Sequence, residues 1–290
     1  MKYTTLNSYL KELFGCKVYK LALDGGFTCP NRDGTLGTRG CIFCSKGGSG
    51  DFAEDRSLSI NEQIERGKAR VSAKIKDGKY IAYFQAYTNT YAPVSELKSK
   101  FTKAINHPDI AALSIGTRPD CLSEDVIELL DELNKIKPVF VELGLQTIHK
   151  KSAEYIRRGY PLEVYDKAVE DLHSIGVNVV THLIIGLPNE SEEDILNSVK
   201  YVCRRTDGIK LQLLHILEGT DLADEYRAGR VKVLSLEEYC DLIVKCVSVI
   251  PERVVIHRLT GDGAKRDLIA PLWSADKKKV INAINKALSS

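Results

Sequence analysis

The sequence predicts an α/β fold on a parallel sheet. Short apolar runs alternate with amphipathic ones six times in succession, and no repeat of fixed period, low-complexity tract or convincing linker divides the chain. Six β-then-α units imply right-handed crossovers, which fit a (β/α) barrel or a doubly wound sheet. In either arrangement the working face lies at the C-terminal ends of the strands.

Taken in order, Tyr3 to Phe14 reads as an amphipathic helix, with Leu6, Tyr9, Leu10, Leu13 and Phe14 on one face and Gly15 as its stop. The strand candidates that follow are Val18–Leu23, Tyr80–Ala86, Ile110–Gly116, Val139–Leu145, Val177–Ile185 and Ile209–Ile216. Helices are expected to begin at Ser59 (a capping box with Glu62), near Pro93, at Ser123, near His149 and Pro161, and at Asn189. A seventh strand candidate, Arg253–Leu259, follows a helix opened by Ser235 and Glu238, and a helix around Asp276–Leu288 closes the chain. The economical division is one domain over residues 1–225 and a C-terminal α/β extension over 226–290.

Composition narrows the class. With 290 residues, 43% apolar and 28% charged, the chain has the make-up of a globular protein able to bury a sizeable core. No stretch of about 18 consecutive apolar residues marks a membrane span. Met1 to Phe14 lacks the apolar core of a signal peptide. The expectation is a cytoplasmic protein, with no membrane partner, whose eight cysteines stay mostly reduced. The net charge of +2 is unevenly spread: residues 1–50 and 251–290 each carry +4, and the middle carries −6. Two basic ends, one holding the cysteine loop, favour a polyanionic partner.

That loop holds Cys29, Cys41 and Cys44, with eleven residues between the first two and two between the last pair. Thiolates at such spacing hold a soft metal or an iron–sulfur cluster. A structural zinc wants four ligands, and no histidine lies within sixty residues of Cys44 to supply the fourth. A non-catalytic zinc-binding protein is the alternative from a different class, and the missing fourth ligand speaks against it. A four-iron cluster on three thiolates leaves one iron open for a ligand. Cys16, Cys121, Cys203, Cys240 and Cys246 lack ligand spacing and read as small buried apolar residues, with Cys121 also a candidate for a redox or hydrogen-donor role.

Polar residues crowd the strand ends. In Val139–Gln146, period-two alternation places Glu142, Gly144 and Gln146 on one face. A carboxylate inside a barrel is costly unless something binds it, either a cofactor or an internal Lys or Arg. The second strand ends in Gln85, Ala86 and Tyr87, and the third in Gly116-Thr117-Arg118-Pro119-Asp120. The fifth carries His182 before Gly186-Leu187-Pro188, the sixth Gln212 and His215, and the seventh His257 and Arg258. His182, Glu142 and Cys121 are the catalytic candidates, whereas His107, His149 and His173 read as satisfied core or surface residues.

With these motifs in order, the chain resembles the radical S-adenosylmethionine (SAM) superfamily over most of residues 15–225. The motifs are Cys-x11-Cys-x2-Cys, the run Ser45 to Ala53, Thr-Arg-Pro-Asp, Glu-Leu-Gly-Leu-Gln, Arg-Gly and Gly-Leu-Pro. It is similar to a small stand-alone bacterial family, in the branch of the elongator catalytic subunit's radical domain and oxygen-independent coproporphyrinogen oxidase. The resemblance implies a partial (β/α)6 TIM-type barrel, a [4Fe-4S] cluster on Cys29, Cys41 and Cys44, and SAM cleaved to a 5′-deoxyadenosyl radical. It further implies Phe43 near the adenine, Ile185 and Gly186 bordering it, and Gln85, Ala86 and Tyr87 in place of a Gly-Gly-Glu-like turn that holds the methionine amino group. Gln146 and Arg158 would contact ribose and carboxylate, with Thr117 and Glu142 completing the candidate cofactor contacts. The chain departs from relatives at Gly116, where a Glu is frequent, and at His182, where an Asp is frequent.

The implied substrate is tRNA, with the side chain of a modified wobble uridine converted from carboxymethylaminomethyl to aminomethyl and a flavodoxin or ferredoxin as reductant. No part of the chain resembles the elongator acetyltransferase domain, so acetyl-CoA chemistry is not expected. The alternative keeps the radical chemistry and moves it to a small metabolite, a tetrapyrrole or a protein side chain.

Overall fold

The computed structural model describes residues 3–48, 50–75, 78–261 and 263–289; Ser49, in the run after Cys44, lies outside them. The chain opens on helix α1 (Leu6–Phe14), started by a Thr5–Ser8 capping box and stopped by Gly15 in the left-handed region. Six parallel strands follow in chain order: β1 (Lys17–Leu23), β2 (Gly78–Phe84), β3 (Ile110–Thr117), β4 (Val139–Gln146), β5 (Asn178–Ile185) and β6 (Gly208–Leu213). The connections are α2 (Ile60–Val71), α3 (Val94–Ile105), α4 (Glu124–Asn134), α5 (Lys150–Tyr155), α6 (Leu162–Ser174) and α7 (Glu192–Cys203). After β6 come β7 (Ile216–Leu217), α8 (Asp221–Arg227), α9 (Leu236–Val249), β8 (Val255–Arg258), β9 (Leu268–Ala270) and α10 (Lys277–Ser289).

The sheet curls into a partial TIM-type barrel, with seven strands rather than six. β8, from the C-terminal extension, pairs in parallel with β6 and occupies the edge. Two further expectations shift. The sixth strand ends at Leu213 instead of Ile216, because the chain turns out at His215 and Ile216–Leu217 pairs antiparallel with β9. The imidazole of His215 is seated there against Ser274 Oγ at 3.1 Å. The helix expected from Asn189 starts at Ser191, whose hydroxyl and the Asp194 carboxylate cap it reciprocally. Asn189 has φ +66°, a left-handed conformation that a helix cannot include.

Period-two alternation divides the strand side chains between two environments. Leu23, Phe84, Ile115, Leu143 and Leu211 face the helices and pack on Ile64, Phe101, Leu130, Leu172, Val199 and Ile243. The inward side chains form layers. At the N-terminal end, Val18, Ile81, Ala112, Phe140 and Val180 meet Leu10 of α1, with Leu6 and Tyr9 beside it. Helix α1 thus plugs one mouth, and Ile256 N donates to Thr4 O at 2.8 Å across the open seam of the barrel. The next inward layer, Lys20, Tyr83, Ser114, Glu142, His182 and Lys210, is polar. It is the floor of the site.

Candidate active site

The cysteine loop, between β1 and α2, is folded on itself by backbone hydrogen bonds. Arg32 N and Asp33 N donate to Cys29 O, Gly40 N to Asn31 O and Cys44 N to Cys41 O. Arg32 adds side-chain bonds to the carbonyls of Cys44 (2.9 Å) and Ser45 (2.6 Å). Asn31 Nδ2 reaches Cys41 Sγ at 3.4 Å and Arg157 O at 2.8 Å, tying the loop to the segment after α5. Tyr87 N donates to Gly48 O, so the end of β2 holds the far side. Gly48 has φ +56°, and a Cβ there would lie 2.3 Å from the Tyr87 ring, so only glycine permits this approach. The thiols of Cys29, Cys41 and Cys44 are unbridged and line one cavity. Burial, more than the neighbouring cysteines, pushes the Cys41 thiol up to about 12. Binding iron would displace these protons, because thiolates are the ligands.

The same cavity is walled by strand ends. Gln85, Tyr87, Thr117, Glu142, Gly144, Gln146, Arg158 and His182 all reach it. A register irregularity after Gly144 leaves Gln146 at φ +71°. Its Oε1 is buried with no partner. Arg158 is 3% exposed and donates to the carbonyls of Leu145, Thr147 and Tyr160, which fixes its guanidinium over the Tyr160 ring. Arg118 grips Asp120 through two bonds of 2.9 and 2.7 Å. Burial opposes its charge, but Asp120 outweighs burial and raises its pKa.

Below lies a buried cage around Glu142, which is 1% exposed. Its Oε1 accepts from Lys20 Nζ (2.5 Å) and Ser114 Oγ (2.6 Å); its Oε2 accepts from His182 Nε2 (2.8 Å) and from Lys210 Nζ. Burial alone would raise the Glu142 pKa, yet Lys20 and Lys210 hold it well below the usual carboxylate range. One carboxylate shared by two ammonium groups leaves Lys210 under-compensated, and burial lowers it to about 7. Burial and then Lys210 bring His182 down to about 4, so its ring is neutral at pH 7. Facing an ionised carboxylate, Nε2 carries the proton and Nδ1 is the acceptor.

The structure brings together the three cysteines, Phe43, Gln85, Tyr87, Thr117, Glu142, Gln146, Arg158 and His182. Four candidates lie elsewhere. Ala86 is buried against Gly50 of the cysteine loop. Ile185 faces the helix layer and Gly186 a groove between α7 and α9; Ile184, two positions beyond His182, takes the inward place beside Ile42. Cys121 lines a neighbouring cavity with Thr90, Tyr91 and Asp120, and burial, with Asp120 adding to it, pushes its thiol up to about 12. Lys20, Lys210, Tyr83, Arg32 and Tyr160 were not singled out by the motifs. Two lysines in otherwise apolar inward rows were the available signal. His107, His149 and His173 are satisfied by Glu65, the Asp194 carbonyl and Asp207.

An α/β half-barrel with three unbridged thiols at the C-terminal mouth defines a cluster-dependent enzyme class. Comparison makes it specific: the profile of the Radical SAM superfamily matches residues 34–202, and that of the Radical SAM C-terminal domain matches 206–290. The chain belongs to the radical SAM superfamily and is a radical SAM enzyme. It is 46% identical over 290 residues to the uncharacterized protein YtqA of Bacillus subtilis, covering all of this chain and 90% of that one. It is 30% identical over 171 residues to a tRNA uridine(34) acetyltransferase of Methanocaldococcus jannaschii, covering 58% of this chain and 31% of that one. Among solved structures, archaeal Elp3 of Methanocaldococcus infernus superposes with a TM-score of 0.67 at 20% identity, over 90% of this chain and 63% of that one. The coproporphyrinogen III oxidase HemN of Escherichia coli gives 0.54 at 14% identity, over 83% and 54%. No described helix is long and apolar enough to cross a membrane.

The family uses a [4Fe-4S] cluster and SAM. The donor set here fits both groups. Three free thiols converge on one cavity, and the orphaned Gln146 Oε1 can accept a hydroxyl. At Gly144 a Cβ would stand 3.0 Å from Gln146 Nε2, so glycine keeps that amide's place clear.

Proposed function

We propose that this radical SAM enzyme acts on tRNA and converts the side chain of a modified wobble uridine from carboxymethylaminomethyl to aminomethyl. The observation that carries this reading is the likeness to a tRNA uridine(34) acetyltransferase across 58% of the chain. The basic ends of the sequence support it, since phosphate contacts favour positive surfaces.

In this reading Cys29, Cys41 and Cys44 hold the cluster, with Asn31 and Arg32 fixing the loop around them. When bound, the cluster and SAM supply reductive hydrogen-atom abstraction. The chain's own residues bind and orient. Gln146 Oε1 accepts from the ribose, Arg158 offers a guanidinium to the methionine carboxylate, and Gln85 and Tyr87 present the end of β2 to its amino group. Phe43 packs beside the adenine, with Ile185 and Gly186 bordering it through backbone. Thr117 stands at the ribose side. Glu142 acts from below by keeping His182 in one tautomer. A flavodoxin or ferredoxin supplies the electron.

The test is incubation of the anaerobically reconstituted enzyme, SAM and a low-potential reductant with tRNA bearing carboxymethylaminomethyluridine. Nucleoside masses should show the aminomethyl product appearing in step with 5′-deoxyadenosine. An unchanged nucleoside profile across total tRNA contradicts the reading.

A further inference from the structure

The floor of the cavity holds more positive than negative charge. Lys20 and Lys210 approach the same Glu142 carboxylate from opposite sides, and Glu142 is the only carboxylate among the described residues of that layer. Burying a second ammonium against a single carboxylate is costly unless another anion joins it. Tyr83 lies 4.7 Å below Lys210 and 4.9 Å from Lys20 by ring centroid, but it cannot supply that anion. Burial and Glu142 keep its phenol protonated. The strand register adds a row: His182 pairs with Lys210, and Lys210 with Arg258, so three nitrogenous side chains stand abreast on β5, β6 and β8. By the same register Gly144 of β4 stands beside His182 and Gly116 of β3 beside Glu142, and the two glycines leave the approach to Glu142 open.

We propose that this inner end of the cavity, where Gln212 and Arg258 stand beside the cage of Lys20, Tyr83, Glu142, His182 and Lys210, is the subsite for a carboxylate of the substrate. The identity of that carboxylate, the carboxymethyl end of the uridine side chain, rests on the wobble-uridine reading. A guanidinium has five N–H donors in a fork that suits a carboxylate, so Arg258 can serve it while engaged elsewhere. The Gln212 amide adds an N–H donor without further charge, whereas the single N–H of neutral His182 is already given to Glu142. Lys210 completes the electrostatics from the same row, facing Lys20, Tyr83, Glu142, His182, His257 and Arg258. Since burial places it near 7, an arriving carboxylate favours its protonated form, and the preference for an acid weakens as pH rises past 7.

The experiment compares binding of the nucleoside 5-carboxymethylaminomethyluridine with that of its methyl ester, by calorimetry on the reconstituted holoenzyme with SAM. The acid should bind about ten- to a hundredfold more tightly, the range expected for hydrogen bonds to a charged group. Most of that ratio should vanish in Arg258→Gln and in Lys210→Met while iron content and SAM binding stay. If Lys210→Met fails to fold, Arg258→Gln and the wild-type pH series decide: the ratio should fall between pH 6 and about 8.5. Equal binding of acid and ester, or a ratio untouched in the variants, overturns the subsite. The two ideas separate cleanly. Turnover of tRNA with equal acid and ester binding sinks only the subsite; acid preference without any tRNA product sinks only the wobble-uridine reading.

Discussion

Glu142 is the anion on which the buried layer beneath the cysteine mouth is gathered. Both its oxygens are taken by Lys20, Ser114, His182 and Lys210, so its burial is accounted for by the chain itself. Removing its charge would leave the buried Lys210 ammonium beside that of part-buried Lys20 with no carboxylate between them. Glu142→Gln should therefore destabilise the protein by about 3–5 kcal/mol in urea unfolding, the scale for breaking a buried ion pair from one side. His182 gives a pH signature of known sign. Its folded pKa of about 4 lies below the ordinary 6.5, so the unfolded chain binds its proton first on acidification. The stability tied to neutral His182 is present above pH 6.5 and is lost as pH falls towards 4, at about 1.4 kcal/mol per pH unit for one proton. Glu142, lowered well below 4.5, acts in the same direction at more acidic pH. The slope between pH 6.5 and 4 should flatten in His182→Gln, and an unchanged slope would place the titrating group elsewhere. At the mouth, Cys41→Ala should yield a protein that loses its brown colour and its absorbance near about 400 nm after anaerobic reconstitution with iron and sulfide.

The strands and their order were legible because inward and outward residues alternate with a period of two and every crossover carries a helix-start signal. Ser59 with Glu62 and Ser235 with Glu238 form the capping boxes that their spacing announces. What alternation could not show is where a strand leaves the sheet. Leu213 to Leu217 stays apolar through the turn at His215, so nothing local marks the exit. The place of β8 depends on a long-range fit. At Gly208 a Cβ would sit 2.7 Å from His257 Nε2 and 3.2 Å from Val255 O, so glycine lets β8 close on β6. Gly208→Ala should cost about 1–3 kcal/mol in denaturant unfolding, the range for overpacking a fitted contact, and a neutral result would mean the edge strand yields freely. The site was legible in part for the same reasons. The cysteines, Gln146 and Arg158 sit in motifs, and Glu142 and His182 interrupt apolar runs. Lys20 and Lys210 escaped because a lysine in a strand reads as solvated until the opposite wall is known, and Ile185 was placed by motif where the inward residue is Ile184.

At the scale of the whole molecule, α1 seals one mouth of the half-barrel, and the cysteine loop and strand ends crowd the other. Reactive chemistry at that mouth is backed by a buried polar layer gathered on Glu142, above the apolar layer that α1 closes. The open seam between β1 and β8 is bridged by residues before α1, which links the N-terminal segment to the C-terminal extension through Thr5 and Ile256. In the proposed function this mouth unites a three-thiolate cluster and SAM with tRNA as substrate. The most direct measurement is the rate of 5′-deoxyadenosine formation by the reduced holoenzyme with and without tRNA bearing carboxymethylaminomethyluridine. That rate should rise with the tRNA, saturate, and be abolished in Cys41→Ala. A rate identical with and without tRNA would contradict it.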